Sequence, residues 1–326
     1  MAARPSTTPR RGARWIVAAL MTIALAATGT GTAAAASSPS IDRTSKTAVA
    51  KAYVKMAKTL NVSSGWTGKV KGCKIGTNSK KHDKASLATV NWARAQAGLS
   101  PARWDASWAR QARAHALMTT ANSRLTHDVT PKDKCFSKAA QVGGTTSNIA
   151  FGATGPWSVM LYLDDPGAHN VTVGHRRWIL DPSTTRVGIG STSIASSMKV
   201  FGDTGSDKVG KNPRFLPWPT SGYFPYEAEP NGRWSLTAIG ADFTKAKVVV
   251  RDPKGKKLAL KKAPAAGSLP DTISWDLKKW VNAPKGKKTA TYKVTVTGIR
   301  WVGATGPKSY TYKVKLINAA KVAKKK

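Results

Sequence analysis

Glutamate is almost missing from this sequence. Among 326 residues there are two, Glu227 and Glu229, both in the last third. No Glu stands beside any of the five histidines, so the H-E-x-x-H helix of a metalloprotease is excluded. A two-glutamate glycosidase within the first 220 residues is excluded as well, although Asp could substitute. Cysteine is equally scarce: Cys73 and Cys135 alone cannot build a Cys-rich zinc site or an iron–sulfur cluster. The chain has no G-x-S-x-G elbow, no P-loop, no C-x-x-C, and no G-x-G-x-x-G between a strand and a helix.

Positive charge, by contrast, is abundant. Lys and Arg number 53 against 16 Asp and Glu, a formal charge of +37. It is unevenly spread: residues 245–326 hold 22 Lys and Arg against 3 acids, whereas residues 86–220 hold 15 against 8. Such a balance calls for an anionic partner. At 41% hydrophobic residues the chain has ample material for a core.

The first 36 residues form an address. Arg4, Arg10, Arg11 and Arg14 precede an apolar run from Trp15 to Ala27, and Ala34-Ala35-Ala36 before Ser37 fits a cleavage site. A membrane anchor would need about 20 apolar residues, and Thr28-Gly29-Thr30-Gly31 interrupts the run. The processed protein is therefore expected to be secreted and not integral to a membrane. In an oxidising compartment two exported thiols pair more often than not, so a Cys73–Cys135 disulfide is expected. The rival reading is a nucleophilic thiol beside a histidine.

Apolar spacing predicts a helix over residues 44–60, a basic Gly/Lys/Ser loop through Lys84, and helices over 86–97 and around Trp104 to Met118. A short helix opens at Pro156, and short strands are expected at 187–190 and 197–201. Beyond the Pro-rich stretch Pro213 to Pro219 the period changes to two. Tyr292, Val294 and Val296 alternate with polar residues, as do Tyr310, Tyr312, Val314 and Leu316, which indicates an all-β sandwich of immunoglobulin-like type. The tail 319–326 shows no pattern and is expected to be disordered.

His127 and His175 lie in loops, where side chains reach clefts more readily than from helices. Each could equally be a surface or capping histidine. His115 falls on the apolar stripe of a helix and reads as a core residue. His82, among lysines, reads as solvated. His169 follows Asp164 and Asp165 closely enough in sequence to share a metal with them.

In order along the chain, Asn91, Arg94, Gly98-Leu99, Pro101, Trp104-Asp105, then Ala112, His115, Ala116 and Met118, then His127, then Asn148-Ile149-Ala150 form one pattern. Gly174-His175-Arg176, Ile179-Leu180-Asp181-Pro182 and Val187-Gly188-Ile189-Gly190 complete it. From about Ser86 to Asp203 the chain resembles the CAP superfamily, the SCP-like extracellular domain, in its bacterial secreted form. The resemblance implies an α-β-α sandwich with a cleft formed by two histidines and usually two acids, sometimes holding a divalent metal. His127 and His175 match the histidines, and both are candidates for catalysis and for metal binding. Asn148, Asp165 and Arg176 join them as expected cleft residues. The Glu expected before Asn148 is Ser147, and for the second acid only Asp164 or Asp165 is on hand.

The expected organisation is α+β: a signal peptide (1–36), an N-terminal helix and basic loop (37–85), a CAP-type α-β-α sandwich (86–212), a Pro-rich linker (213–222), an immunoglobulin-like sandwich (223–318) and a Lys-rich tail (319–326). The expected function is binding of an apolar or amphipathic ligand or a cell-envelope component. The basic sandwich would hold the protein on an anionic envelope polymer or lipid, outside the cell and at the cell wall. No cofactor is required, although a divalent metal could sit at His127 and His175. A peptidase-like hydrolase using those histidines is the alternative. Specific nucleic-acid binding is not expected, since export argues against it and no such motif occurs.

Overall fold

The computed structural model describes residues 40–202, 212–262 and 271–324. The expected signal peptide, the end of the CAP-like segment at Asp203 and the last two lysines lie outside these residues. Among the described residues no helix is long and apolar enough to cross a membrane.

The first half is built around a four-stranded sheet. Its strands are β1 (Arg103–Trp104), β2 (Ser147–Phe151), β3 (Arg186–Ser191) and β4 (Ala195–Lys199), in the order β1-β3-β4-β2. Only the β1–β3 pair is parallel. Helix α3 (Ala106–Asn122) lies against β3 and β4, with α4 (Lys138–Thr145) beside it. Two glycines explain how α3 comes so close. A Cβ on Gly188 would fall 2.2 Å from the Ala109 nitrogen, and one on Gly190 would fall 2.1 Å from the Arg113 nitrogen. Alternate residues of a strand share a face, so the V-G-x-G spacing clears one side of β3 for a helix. On the other side Val187 and Ile189 enter a core with Val90, Ala93, Val159 and Tyr162. Those four belong to α2 (Lys80–Ala97) and α5 (Gly155–Asp164). The short α6 (Gly174–Ile179) packs on α5.

Helix α2 begins six residues earlier than the lysine-rich composition suggested. Ser79 caps it, accepting from the His82 amide, and Gly98 ends it in the left-handed conformation. His82 is consequently helical and fully buried, not solvated.

The second half contains two four-stranded sheets and a short pair. One sheet, in the order β10-β11-β7-β5, joins β5 (Leu216–Trp218), β7 (Arg233–Thr237), β10 (Leu260–Lys262) and β11 (Thr272–Leu277). The other, in the order β6-β14-β12-β9, joins β6 (Gly222–Pro225), β9 (Lys247–Arg251), β12 (Thr289–Thr297) and β14 (Ser309–Ile317), with β6 parallel to β14. Strands β8 (Ala241–Asp242) and β13 (Arg300–Trp301) pair separately. Trp234, Leu236, Ile273 and Trp275 of the first sheet share a core with Tyr292, Val294, Val314 and Leu316 of the second. Trp234 meets Tyr292 edge to face at 5.7 Å. The period-two alternation thus marks a buried face, as the pattern predicts.

Two expectations need correction. The stretch 213–222 is not a free linker: residues 216–220 are buried, and Trp218, with no exposure, meets Trp92 of α2 at 6.1 Å and Phe224 at 4.9 Å. Gln96 of α2 also donates to Thr220 Oγ1 at 3.0 Å and to the Tyr223 carbonyl at 2.9 Å. Burying a large aromatic side chain stabilises by roughly 1.5–3 kcal/mol, which fixes this stretch against α2. Nor is the tail without structure. Residues Ala319–Ala323 form α7, which packs on α1 (Lys46–Ala57), with Ala319 buried. Its N-terminal amides are held by Glu227, which accepts from Ala319 and Ala320 at 3.1 Å each.

Candidate functional site: the His175–Asp165 pair and a cavity beside it

Helix α5 ends at Asp164, and Asp165 caps it with a left-handed backbone, φ 51°. That turn aims the Asp165 carboxylate back at α6. Its Oδ1 accepts from His175 Nδ1 at 2.7 Å, and its Oδ2 accepts from the Arg176 amide at 3.2 Å. Asp165 is fully buried and the His175 side chain 23% exposed. The carboxylate fixes the orientation of the imidazole and leaves Nε2 outside this hydrogen bond. Tyr162 stacks on the ring at 5.4 Å, and its hydroxyl donates to the Asn148 carbonyl at 3.1 Å. Asn148 in turn donates from Nδ2 to the His175 carbonyl at 2.9 Å. Strand β2, helix α5 and helix α6 therefore bring Asn148, Asp165 and His175 together. Tyr162 completes the group. Nothing in the sequence singles it out beyond its place in the short helix that opens at Pro156.

Arg176, expected to line the cleft, is instead 1% exposed. It donates to the Leu163 carbonyl at 2.6 Å, to Ser235 Oγ at 2.9 Å and to the Asp164 carbonyl at 3.1 Å. Burial draws its guanidinium down to about 10, with Asp165 and Asp164 opposing. Arg94 plays a similar part, donating to the carbonyls of Ser100, Ile179 and Asp181. Both arginines of the family pattern are thus anchors for backbone carbonyls.

The β-rich half reaches into this group. Arg233 donates to the carbonyls of Asp165 and Gly167 at 2.7 and 2.8 Å while forking onto Asp276. Arg177 pairs with Asp271 at 2.9 Å, Asn231 donates to Asp164 at 2.8 Å, and Ser274 donates to the Val171 carbonyl. The segment carrying Asp165 and His175 is held on one side by strands β7 and β11.

His127 stands apart from these contacts. From the loop after α3 its Nδ1 bonds the carbonyl of Gly144 in α4 at 2.8 Å, and it shares no hydrogen-bond partner with His175. Ser147, in the place of the expected glutamate, is a buried hydroxyl without a hydrogen-bond partner. Among the described residues no group of three or more His, Cys, Asp or Glu could hold a metal ion. The described residues therefore do not fit the metal that the family resemblance allowed. His169 is exposed in a short 3-10 turn, and the two acids near it in sequence are engaged with Asn231 and His175.

The remaining histidines are interior. His115 is fully buried between Ser197 Oγ at 2.7 Å and the Thr126 carbonyl at 2.9 Å, and burial pulls it down to about 4. His82 joins Asp83 Oδ1 to Ser191 Oγ, each at 3.0 Å. The residue types are those of a catalytic triad. Yet Ser191 is fully buried, and its hydroxyl also meets Ser196 Oγ and the Gly155 amide. With its hydrogen-bonding capacity filled, that serine is a structural hub. Cys73 and Cys135 form a disulfide, so neither is a free thiol.

Beside the Asp164–Asp165 corner opens a cavity of about 600 Å³ between α5 and the segment 226–231. Trp157, Met160 and Leu161 line it with Tyr226 and Trp280. So do Asp164, Glu227 and Glu229, the last two being the only glutamates of the chain. Neither His127 nor His175 lines it.

The motifs agree with the family comparison. Residues 87–201 match the family model described as CAP, the cysteine-rich secretory protein family. This part of the chain is a CAP domain, also called an SCP domain, followed by a β-rich region. A solved structure, an extracellular protein containing an SCP domain from Bacillus anthracis str. Ames, is 18% identical with a TM-score of 0.27; the match covers 37% of this chain and 40% of that one. The likeness thus spans two fifths of that protein's length. No curated protein matches.

Proposed function

We propose that this is an extracellular CAP-domain protein that acts by binding, held on an anionic envelope polymer through its β-rich half. A row of cations across three strands carries this reading. Lys293 of β12 lies directly opposite Arg251 of β9 on one side and Lys313 of β14 on the other. All three are exposed, and none makes an ion pair among the described residues. Like charges directly opposed across strands cost stability, roughly 0.2–1 kcal/mol per pair, so nothing in folding favours the row. A cavity of about 700 Å³ at the same end of the sheet adds Lys254, Lys279, Lys285 and Lys288 around Trp280. The immunoglobulin-like description of the two sheets belongs with this reading, as a display scaffold for the row. Retention of the full chain on immobilised polyphosphate, eluted with a salt gradient, tests it. Elution should shift steeply with salt, since counterion release drives such contacts; retention indifferent to salt overturns the proposal. Anionic vesicles run in parallel distinguish a lipid from a polymer.

The His175–Asp165 pair supports a second reading, hydrolysis. A carboxylate-oriented imidazole with a free Nε2 is the arrangement of a general base. Against it, no hydroxyl or thiol is hydrogen-bonded to that nitrogen among the described residues, and both cysteines are paired. Turnover of a peptide and ester panel that disappears in His175→Ala, with the fold intact, would favour this reading over binding.

A further inference from the structure

We infer that the cavity between α5 and residues 226–231 is a binding site for an uncharged oligosaccharide. The inference rests on the binding reading above, though not on retention at polyanions.

Aromatic platforms are in place. Trp157 is 51% exposed and Trp280 73% exposed, while most large side chains of the fold are buried. Trp157 is not loose: its indole N–H donates to Asn61 Oδ1 at 3.1 Å, fixing one edge of the ring. Exposed indoles held at a cavity wall suit a flat, partly apolar ligand with polar edges, which is what a pyranose ring presents.

The acids choose among ligand classes. Asp164 accepts from Asn231 through Oδ2, but its Oδ1 is buried with no hydrogen-bond partner. A wholly apolar ligand would desolvate the carboxylates lining the cavity at a cost, whereas ligand hydroxyls can replace water at their accessible edges. An anion would meet Asp164, Glu227 and Glu229 together. A cation would find these carboxylates already engaged. Glu227 holds the α7 amides, Glu229 accepts from Trp234 Nε1 at 2.5 Å and the Gly232 amide at 2.9 Å, and Arg176 and Arg233 lie near Asp164. The net charge of +37 opposes its approach as well. Burial also raises the Asp164 and Glu229 carboxyls above their ordinary range, which weakens the hold on a cation further. What remains is a neutral molecule rich in hydroxyls. A volume of about 600 Å³ admits a few sugar rings.

Titration of the full chain, followed by tryptophan fluorescence and calorimetry, tests this. Cellotetraose and tetra-N-acetylchitotetraose serve as uncharged probes, with choline and hexanol as the cationic and apolar alternatives. At least one saccharide should bind with a Kd under about 1 mM. Trp157→Ala should weaken that binding about tenfold or more, and Asp164→Asn should weaken it too. Lys293→Glu should leave it unchanged. Should Trp157→Ala fail to fold, Trp280→Ala probes the same wall. The inference is overturned if neither saccharide binds by about 10 mM, if choline or hexanol binds more tightly, or if the folded tryptophan variant binds as the parent does. Loss of polyphosphate retention in Lys293→Glu with saccharide binding intact would separate the two sites.

Discussion

Arg176 Nη1 donates to Ser235 Oγ at 2.9 Å, and this buried bond joins the CAP domain's G-H-R block to strand β7. The histidine of that block and its aspartate are thus positioned in part by the β-rich half.

Arg176→Met should therefore destabilise the whole chain rather than the CAP domain alone. The change strands the Leu163 and Asp164 carbonyls and leaves Asp165 buried without its nearby cation. A loss of about 3–5 kcal/mol is expected from urea unfolding. Arg176→Lys should recover only part of it, because an ammonium cannot reproduce the fork.

His115 gives stability a pH dependence with a definite sign. Burial holds it at about 4 in the folded chain against 6.5 as its ordinary value. Between those values the unfolded chain binds the proton and the folded chain does not, so stability is complete above about 6.5 and falls as the pH drops toward 4. The contribution is on the order of 3 kcal/mol. Asp164 and Glu229, raised by burial, act in the opposite sense at the low end. The difference in unfolding free energy between the parent and His115→Asn, followed from pH 7 to pH 4, isolates the histidine: it should shrink as the pH falls, and a constant difference would contradict the assignment.

The disulfide ties together residues 62 apart, on the two long loops that flank α2 and α3. The paired substitution Cys73→Ser and Cys135→Ser should cost up to about 4 kcal/mol through the entropy of the unfolded chain. Scanning calorimetry of the variant should match that of the parent in dithiothreitol.

The row Arg251–Lys293–Lys313 predicts opposite movements of two observables. Lys293→Glu replaces two like-charge neighbours with two attractive ones, so the melting temperature should rise slightly, by the equivalent of about 0.5–1 kcal/mol. The salt concentration needed to elute the protein from polyphosphate should fall at the same time. A residue that served only the fold would move both in the same direction.

Much of the CAP domain was legible because its motifs are backbone requirements. Gly188 and Gly190 must lack side chains for α3 to approach, and Asn91 must bridge the Ala102 backbone, which it does in both directions. The elements that escaped are those where composition and context disagree. Lys80, Lys81 and Lys84 look like loop residues, but Ser79 caps them into a helix whose inner face carries His82. Pro217 and Pro219 look like a linker, yet β5 is an edge strand and tolerates proline while Trp218 fills the core. Residues 319–323 carry too little pattern to predict a helix; α7 exists because Glu227, 92 residues earlier, satisfies its first amides. At the site, the motif singled out His175 and left its acid open between Asp164 and Asp165; the left-handed turn at Asp165 decides which of them meets the imidazole. Burial of Arg176 was not legible, because it depends on contacts distant in sequence such as Ser235.

Trp280 lines both the acidic cavity and the basic one. One side chain has one rotamer at a time, so a ligand that fixes this indole in one cavity also sets the shape of the other. If both proposed ligands bind, any coupling carried by this indole would be reciprocal: whatever factor a bound saccharide applied to the polyanion's affinity, the polyanion would apply to the saccharide's.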